Sequence, residues 1–183
     1  LYERVARYGV ESGAAVATDA SSGGGILTAL LARQIGKAYG IEAVAEASAC
    51  ADALVEPNKL EGRMFNICGR VEDKLPEVLS EAIAKETFLV VDPPRKGVDR
   101  GTLRAILESG IPRVAMISCN PATMARDVGI LTGALVEEGS ELKKNPNFAS
   151  GGQEEFYSVI SIQPFDMFPQ TKWIETLVCL ERK

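Results

Sequence analysis

A cysteine that follows an apolar run is the residue of this chain best suited to covalent chemistry. Residues 113–117 form a mainly apolar run that leads into Ser118 and Cys119, and Asn120-Pro121 then breaks the pattern. This predicts that Cys119 lies at the tip of a buried strand, at the edge where an α/β sheet binds its ligands. A thiol is the best uncharged nucleophile that a protein has at neutral pH. We therefore take Cys119 as the candidate nucleophile, although most lone cysteines in strands are inert and buried.

A carboxylate holds the same position after a second apolar run, because residues 88–91 lead straight into Asp92-Pro93-Pro94-Arg95. Proline fixes φ and lacks an N–H donor, so this loop is expected to stay extended. It is either a rigid exit from a strand or a wall for a flat ring, with Asp92 at the polar edge of that ring. Arg95 would meet a phosphate or be a plain surface charge. A thiol and a carboxylate at two strand ends together suggest chemistry on a planar base.

The sequence contains no histidine, so any acid–base step must use another type of side chain. Glu175 is a charge at the start of the otherwise apolar run 173–178. This pattern favours the exposed face of an edge strand, and a general base is the alternative. Phe168, shortly before it, belongs to a hydrophobic plug or to a substrate pocket. The four cysteines show no C-x-x-C spacing, so no metal site of the common zinc kinds is expected.

A glycine-rich turn between a short strand and a helix is the candidate cofactor site. Glycine adds no side chain and tolerates positive φ, so the backbone of residues 21–25 could approach a ligand closely. An acidic residue at the end of the next strand, about 20 residues on, would accept hydrogen bonds from both hydroxyl groups of a ribose. This fits an S-adenosylmethionine enzyme or an NAD enzyme, but Thr28 stands where the NAD fingerprint needs its third glycine, and a turn that binds nothing is the other alternative. The residues concerned are Asp19, Ser21, Gly23, Gly25 and Glu42.

Strands and helices alternate along the chain and would position these residues. Five alternations predict an α/β fold with a parallel sheet and helices on both faces. Two further strand-like runs follow without a helix between them, which favours an antiparallel hairpin at the sheet edge. The predicted strands are 14–18, 37–41, 63–68, 87–91, 113–118, 156–162 and 173–180, and the predicted helices are 1–10, 26–35, 43–56, 72–85, 99–109 and 122–137.

The bulk composition limits the class of protein. A chain of 183 residues is expected to form one domain, residues 1–183, and no apolar run approaches the ~20 residues of a membrane span. The net charge of −5 predicts weak binding of nucleic acid by this chain alone. Unpaired cysteines are typical of the reducing cytoplasm. The first residue is not Met, and we expect a fragment of a longer chain.

Five segments together resemble the RNA uracil C5-methyltransferases, which make 5-methyluridine in transfer and ribosomal RNA. The likeness covers nearly the whole chain as the C-terminal catalytic domain of that family. It implies that this chain is a fragment that lacks the family's N-terminal RNA-binding region. It implies a Rossmann-like class I S-adenosylmethionine methyltransferase fold, mostly parallel, with a C-terminal antiparallel hairpin. The segments that carry it are 19–25 (DASSGGG), 39–42 (YGIE), 92–97 (DPPRKG), 118–127 (SCNPATMARD) and 164–176.

The resemblance implies a role for each candidate residue. Cys119 would add to C6 of a uracil, S-adenosylmethionine would methylate C5, and Glu175 would remove the C5 proton. Asp92 would be a third catalytic residue, near both the cofactor and the base. RNA is the implied partner, with no metal and no membrane. The implied cofactor-binding residues are Asp19, Ser21, Gly23, Gly25, Ile26, Glu42 and Asp92, and the implied substrate-binding residues are Pro93, Arg95, Asn120 and Phe168.

The chain departs from the family pattern at the cofactor turn and near the base. Ser21 and Ser22 stand where the family has an aromatic residue and often a cysteine, and Ile26 replaces a polar residue. Arg70 stands where many methyltransferases have an acidic residue near adenine, and Lys172-Trp173 replaces a pair that contains histidine. Two other functions stay open: methylation of an exocyclic amine of a nucleobase, and a non-catalytic fragment that binds the cofactor or RNA.

Overall fold

The computed structural model describes residues 1–81, 84–138, 141–148, 156–171 and 173–183, so Lys172 lies outside the described residues. Its helices are α1 (Tyr2–Glu11), α2 (Ile26–Ile35), α3 (Ala45–Asp52), α4 (Val71–Glu81), α5 (Arg100–Ser109) and α6 (Pro121–Leu131). Its strands are β1 (Val16–Ala20), β2 (Lys37–Glu42), β3 (Met64–Cys68), β4 (Thr87–Val91), β5 (Arg113–Ser118), β6 (Leu135–Glu138), β7 (Glu141–Lys144), β8 (Tyr157–Phe165) and β9 (Glu175–Arg182). Within these ranges, no helix is long and apolar enough to cross a lipid bilayer.

Seven of the strands form one sheet in the order β3-β2-β1-β4-β5-β9-β8. The first five in this order are parallel, and β9 lies antiparallel to both of its neighbours, β5 and β8. The predicted α/β class, the mostly parallel sheet and the C-terminal antiparallel hairpin are therefore confirmed.

Helices cover both faces of the sheet, and the side chains of each central strand divide between the two faces. Every residue of β4 is buried. Phe88 and Val90 belong to the core formed with α1 and α2, whereas Leu89 and Val91 belong to the core formed with α4, α5 and α6. A strand that is buried on both faces needs a continuous apolar run, and each such side chain contributes about 1.5–3 kcal/mol when it is fully buried. The two cores therefore hold the carboxyl ends of the central strands in place.

Side-chain caps define where the two helices nearest the candidate residues begin. The Asp99 carboxylate accepts a hydrogen bond from the Thr102 backbone N–H at 2.8 Å and caps the start of α5, and Gly110, in the left-handed conformation, follows its last residue. The Asn120 side chain accepts one from the Ala122 backbone N–H at 3.1 Å and begins α6, with Pro121 at its first position. A helix therefore begins directly after Cys119.

The predicted helix 122–137 is too long, because α6 ends at Leu131 and a hairpin follows. Gly133 has a φ of +75°, and a Cβ at this position would come within 2.9 Å of the Phe156 ring. The chain then turns into β6, which pairs with β7 in a separate two-stranded sheet. Strands of four residues that pair only with each other give too short a pattern to predict. The predicted strand 14–18 is also displaced, since β1 includes Asp19 and ends at Ala20.

Candidate active site

The parallel strands bring the candidate residues to one edge of the sheet. Glu42 is the last residue of β2, Asp92 follows the end of β4, and Cys119 follows the end of β5. β9 runs in the opposite direction, so its first residue, Glu175, lies at the same edge. The order of the strands reverses between β1 and β4, and such a switch point is where open α/β sheets form their ligand crevice.

The glycine-rich turn folds over the end of β2 and is held there by a carboxylate. The backbone N–H groups of Ser21 and Ser22 both donate to the Ile41 carbonyl, at 2.9 Å each. The Glu42 carboxylate accepts one hydrogen bond from the Gly23 N–H at 2.8 Å and another from the Val44 N–H at 2.7 Å. Each of its oxygens keeps acceptor capacity for a ligand hydroxyl. Glu42 therefore shapes the turn and can still bind a ribose.

The two predicted glycines of this turn differ in what surrounds them. Gly23 has a φ of +53°, and a Cβ there would meet no atom within 4 Å, so the space above it is open to a ligand. Gly25 has a φ of +81°, and a Cβ there would come within 2.5 Å of the Ala51 Cβ. Gly25 is thus required by the packing against α3. Ile26, which follows it, is 67% exposed at the start of α2.

Asp19 supports the turn from inside the protein. It is only 1% exposed, and its carboxylate accepts a hydrogen bond from the Thr28 hydroxyl at 2.7 Å. Burial raises the pKa of Asp19 to about 6, and the hydrogen bond from Thr28 opposes this shift in part. The pair ties α2 to β1. The structure therefore gives Asp19 a supporting position and leaves Glu42 and the backbone of the turn facing outward.

A cavity of about 310 Å³ opens beside the turn, where β1 to β4 end. Its volume is at the lower end of the range typical of small-molecule sites. Ala43 and Val71 line it and carry no chemical signal that the sequence could have revealed. Arg70 also lines it, with a side chain that is 73% exposed and paired with Glu72. The lining from the turn and from the loop after β4 includes Ser21, Val91, Pro93 and Pro94.

A second cavity, of about 450 Å³, lies on the other side of Asp92. Asp92 lines this second cavity, whereas the next two residues in the chain line the first. The start of the loop after β4 therefore contributes to the walls of both cavities. The lining of the second cavity consists of Leu1, Tyr2, Glu3, Asp92, Ile117, Met167, Phe168 and Glu175.

The second cavity collects negative charge. Burial raises the pKa of Asp92 to about 7, and the negative charges of Glu175 and Asp19 contribute to the shift. Burial also raises the pKa of Glu175. Neither carboxylate makes a hydrogen bond within the described parts of the chain. Two carboxyl groups that exchange protons closer to neutral pH than usual thus face one cavity.

Cys119 lies across from Glu175 at the end of the β5–β9 ladder. The last pair of the ladder is Ser118 with Thr176, and the same register extended by one position pairs Cys119 with Glu175. Cys119 is partly buried and is not among the residues that line the second cavity, although Ile117 lines it two positions earlier. The ladder therefore places the candidate nucleophile and the candidate base at one end of two paired strands.

The loop after β4 is fastened to α6 next to Cys119. The Arg95 carbonyl accepts hydrogen bonds from the Asn120 side-chain amide at 3.0 Å and from the Thr123 hydroxyl at 3.3 Å. The buried carboxylate of Asp127 accepts one from the Val98 N–H at 2.8 Å. Asn120 also caps α6, so both ends of its amide are engaged within the protein. Asn120 thus fixes the loop, a position that the sequence did not indicate.

The Arg95 side chain reaches across to the segment before β9. Its guanidinium lies 4.4 Å from the centroid of the Trp173 ring, a distance typical of a cation–π contact. Phe168, in the same segment, is partly exposed and lines the second cavity. The contact holds a positive charge near the acidic cavity and links the loop after β4 to the residues that precede Glu175.

Sequence and structure comparisons agree with this architecture. The family model for tRNA (Uracil-5-)-methyltransferase matches residues 70–137. An uncharacterized RNA methyltransferase of Clostridium acetobutylicum is 35% identical over 182 residues, which is 100% of this chain and 35% of that protein. A second, from Enterococcus faecalis, is 34% identical with the same two coverages. The chain thus spans about a third of the length of these curated relatives.

Solved structures share the fold. A tRNA (uracil-54, C5)-methyltransferase of Pyrococcus abyssi, in complex with S-adenosyl-L-homocysteine, matches 98% of this chain and 38% of its own, with a TM-score of 0.71 and 22% identity. An rRNA methylase of Streptococcus thermophilus matches 97% of this chain and 93% of its own, with a TM-score of 0.63 and 15% identity. The structural likeness extends the sequence matches to a common Rossmann-like architecture. This chain is therefore similar in sequence to RNA methyltransferases, its residues 70–137 match the tRNA (Uracil-5-)-methyltransferase model, and its fold is that of Rossmann-like methyltransferases.

Proposed function

We propose that this chain is the catalytic domain of an S-adenosylmethionine-dependent enzyme that methylates C5 of a uridine in tRNA or rRNA. The observation that carries the proposal is that Asp92 and Pro93, consecutive in the chain, line two different cavities. One lies beside a glycine turn and a ribose-type carboxylate, and the other contains two carboxyl groups with raised pKa values. A methyl donor in the first cavity and a base in the second would lie on either side of these two residues.

The first cavity fits S-adenosylmethionine. The open space over Gly23 lets the ligand approach the backbone, and Glu42 would accept hydrogen bonds from the ribose hydroxyls. Val71 and Pro93 would hold the adenine between apolar walls, and the Arg70–Glu72 ion pair lines the same cavity. When bound, S-adenosylmethionine supplies an electrophilic methyl group. Ile26, at the start of α2, would lie near its amino acid moiety.

The second cavity fits a uracil and supplies the groups that its C5 needs. C5 of uracil is a poor nucleophile, and addition of the Cys119 thiolate to C6 makes it carbanion-like. After methylation, Glu175 takes the C5 proton, and the electrons of that bond expel the Cys119 thiolate. The sequence contains no histidine, so carboxyl groups perform this acid–base work. Asp92 and Phe168 line the cavity and would orient the ring between them.

The substrate would be a nucleotide flipped out of folded RNA, because a stacked uracil presents no C6 to a partly buried thiol. The net charge of −5 opposes RNA binding by most of the surface of this chain. Arg95, held against Trp173, would meet a phosphate of the RNA. We therefore expect that this chain alone binds RNA weakly and that the natural full-length protein binds it well.

RNA that carries 5-fluorouridine tests the mechanism. Fluorine does not leave as a proton, so the natural full-length protein, given S-adenosylmethionine, should stall as an adduct that survives denaturation. Cys119→Ala should form none. Cys50→Ala is the matched control, because Cys50 is an exposed cysteine on α3 and should leave the adduct unchanged. Methyl transfer to ordinary RNA without any adduct would contradict the proposal and favour an exocyclic amine as the target.

A further inference from the structure

A tyrosine that the proposed mechanism does not use lines the cavity of the two carboxylates. Tyr2 is in the first turn of α1, and its side chain lines the same cavity as Asp92 and Glu175. Burial raises the pKa of Tyr2, and the negative charges of Asp92, Asp19 and Glu175 raise it further. The phenol therefore stays protonated at neutral pH and can act only as an uncharged group there.

The Tyr2 hydroxyl differs from the other tyrosine hydroxyl of the same helix. Tyr8 donates to the Leu180 carbonyl at 3.0 Å in the core, so its hydroxyl is satisfied within the protein. The Tyr2 hydroxyl makes no hydrogen bond to any residue that the structure describes. A donor that the fold leaves unpaired beside a cavity is available to a ligand.

Helix α1 is held firmly enough for this donor to be positioned. A Cβ at Gly9 would come within 2.6 Å of the Phe88 ring, so the helix backbone lies directly against β4. The Tyr8 ring meets Phe88 edge-on at 5.7 Å, and Val5 is fully buried in the same core. Tyr2 is less than two helical turns from Tyr8. The first turn of α1 therefore belongs to a helix that is packed tightly against the sheet.

We propose that the Tyr2 hydroxyl donates a hydrogen bond to O4 of the flipped uracil and stabilises the charge that develops there during addition of Cys119. The proposal rests on the function proposed above. When the Cys119 Sγ–C6 bond forms, the electron pair of the C5–C6 double bond moves toward C4, and negative charge collects on O4. Tyr2 keeps its proton throughout. The charge returns from O4 to C5 when the methyl group is transferred, so Tyr2 acts on the addition step.

Two properties of the site favour a phenol in this role. Negative charge that develops beside Asp92 and Glu175 needs a donor, and a donor already directed at that charge stabilises a transition state. Tyr2 is 39% exposed, so its hydroxyl is reached by a ligand without movement of the fold. A lysine in this place would pair with the carboxylates, whereas a protonated phenol offers a single directed donor. The raised pKa also keeps the proton on Tyr2 while it faces an oxyanion.

The test uses the natural full-length protein with the substitution Tyr2→Phe. With 5-fluorouridine RNA in single turnover, the rate constant of adduct formation should fall by about 10- to 100-fold, somewhat less than the loss of a fully buried oxyanion donor. In steady state on ordinary RNA, kcat should fall and KM should stay constant. The affinity for S-adenosyl-L-homocysteine, measured by calorimetry, should not change.

Tyr8→Phe is the matched control, because it removes a hydroxyl from the same helix. It should lower the melting temperature and leave the adduct rate constant unchanged. An unchanged adduct rate constant in Tyr2→Phe would overturn the role of Tyr2 while the proposed function stands. The absence of any adduct in the unsubstituted protein would overturn both. Tyr2→Leu repeats the test if the phenylalanine variant melts early, and it should lose at least as much rate.

Discussion

The two cavities at the carboxyl edge of the sheet hold their carboxylates in different ways. On the side of the glycine turn, Glu42 accepts two backbone hydrogen bonds and Asp19 accepts one from Thr28. On the other side, Asp92 and Glu175 accept none within the described chain, and burial raises the pKa of both, as it raises that of Asp19. Groups that shape a binding surface are thus satisfied by the fold, whereas groups that would exchange protons are left unsatisfied. The contrast separates binding from chemistry in a way that mutations can test.

The largest expected effect comes from the acidic cavity. Glu175→Gln should lower the turnover of methyl transfer by about 10²- to 10⁴-fold, since it removes the group that we propose takes the C5 proton. The adduct with 5-fluorouridine RNA should still form, because addition precedes proton removal. Glu181→Gln is the matched control on the same strand, where Glu181 pairs with Arg113 at 3.0 Å. Equal losses in the two variants, measured by transfer of labelled methyl groups, would remove the distinction between the two sides.

A smaller effect is expected at the glycine turn, and on binding alone. Glu42→Ala should weaken binding of S-adenosyl-L-homocysteine by about 10- to 100-fold, because it removes a charged acceptor and frees the turn. Calorimetry with the natural protein measures this directly. Glu46→Ala changes an exposed glutamate at the start of α3 and should leave the affinity as it is. A variant that loses turnover at saturating cofactor while keeping its affinity would place Glu42 with the chemistry.

The raised pKa of Asp92 also predicts a pH dependence of folding stability. Between its ordinary pKa near 4 and about 7, the folded chain holds a proton that the unfolded chain has released, so the free energy of unfolding falls as pH rises. Above pH 7 the folded protein bears the full free-energy cost of the buried Asp92 charge. Asp92→Asn should therefore stabilise the fold by about 1–2 kcal/mol at pH 8, after allowance for partial exposure, and by almost nothing at pH 4.

Urea denaturation at the two pH values measures this difference. Glu175 shares the cavity, so its charge must be the same in both proteins for the comparison to hold. A destabilised Asp92→Asn protein at pH 8 would mean that the carboxylate is satisfied after all. The difference that we draw between the two cavities would then not hold for the second cavity.

The smallest effect is expected where the rim of the acidic cavity meets solvent. Arg95→Gln removes the cation–π contact with Trp173, which contributes about 0.5–1 kcal/mol at an exposed site. RNA affinity should fall a few-fold, and the slope of log affinity against log salt should decrease by about 1 if Arg95 meets a phosphate. Arg33→Gln, at an exposed arginine of α2, is the control. An unchanged salt slope would make Arg95 a purely structural contact.

The strand ends were predictable because buried parallel strands appear in a sequence as short apolar runs, and polar residues follow each run. Residues 87–91 and 113–118 match β4 and β5, and the parallel order then carries Asp92 and Cys119 to one edge. The turn of residues 21–25 was also visible, since its glycines are consecutive. The pattern could not tell that Gly23 is open to a ligand and that Gly25 serves packing against α3, because this depends on a neighbour distant in sequence.

Tyr2 could not be predicted from the sequence. Helical periodicity identifies the face of α1 that is buried, with Val5 and Tyr8, and says nothing about the surroundings of its first turn. The cavity forms only where α1, the loop after β4 and the segment before β9 come together. The lining of the 310 Å³ cavity could not be predicted for the same reason. Ala43 and Val71 are ordinary apolar residues, and only the folded structure brings them to this cavity.

The register of the β5–β9 ladder fixes which two residues face each other at its end, Cys119 and Glu175. Its six paired positions, from Arg113 with Glu181 to Ser118 with Thr176, set the distance between Cys119 and Glu175 independently of the chain that connects them. That connection contains α6, the β6–β7 hairpin and β8, and it can lengthen or shorten without moving the pair. An extra residue inside β9 would instead shift Glu175 by one position and turn it to the opposite face. Insertions are thus tolerated between the two strands and forbidden within them, which marks where this scaffold can be enlarged by design.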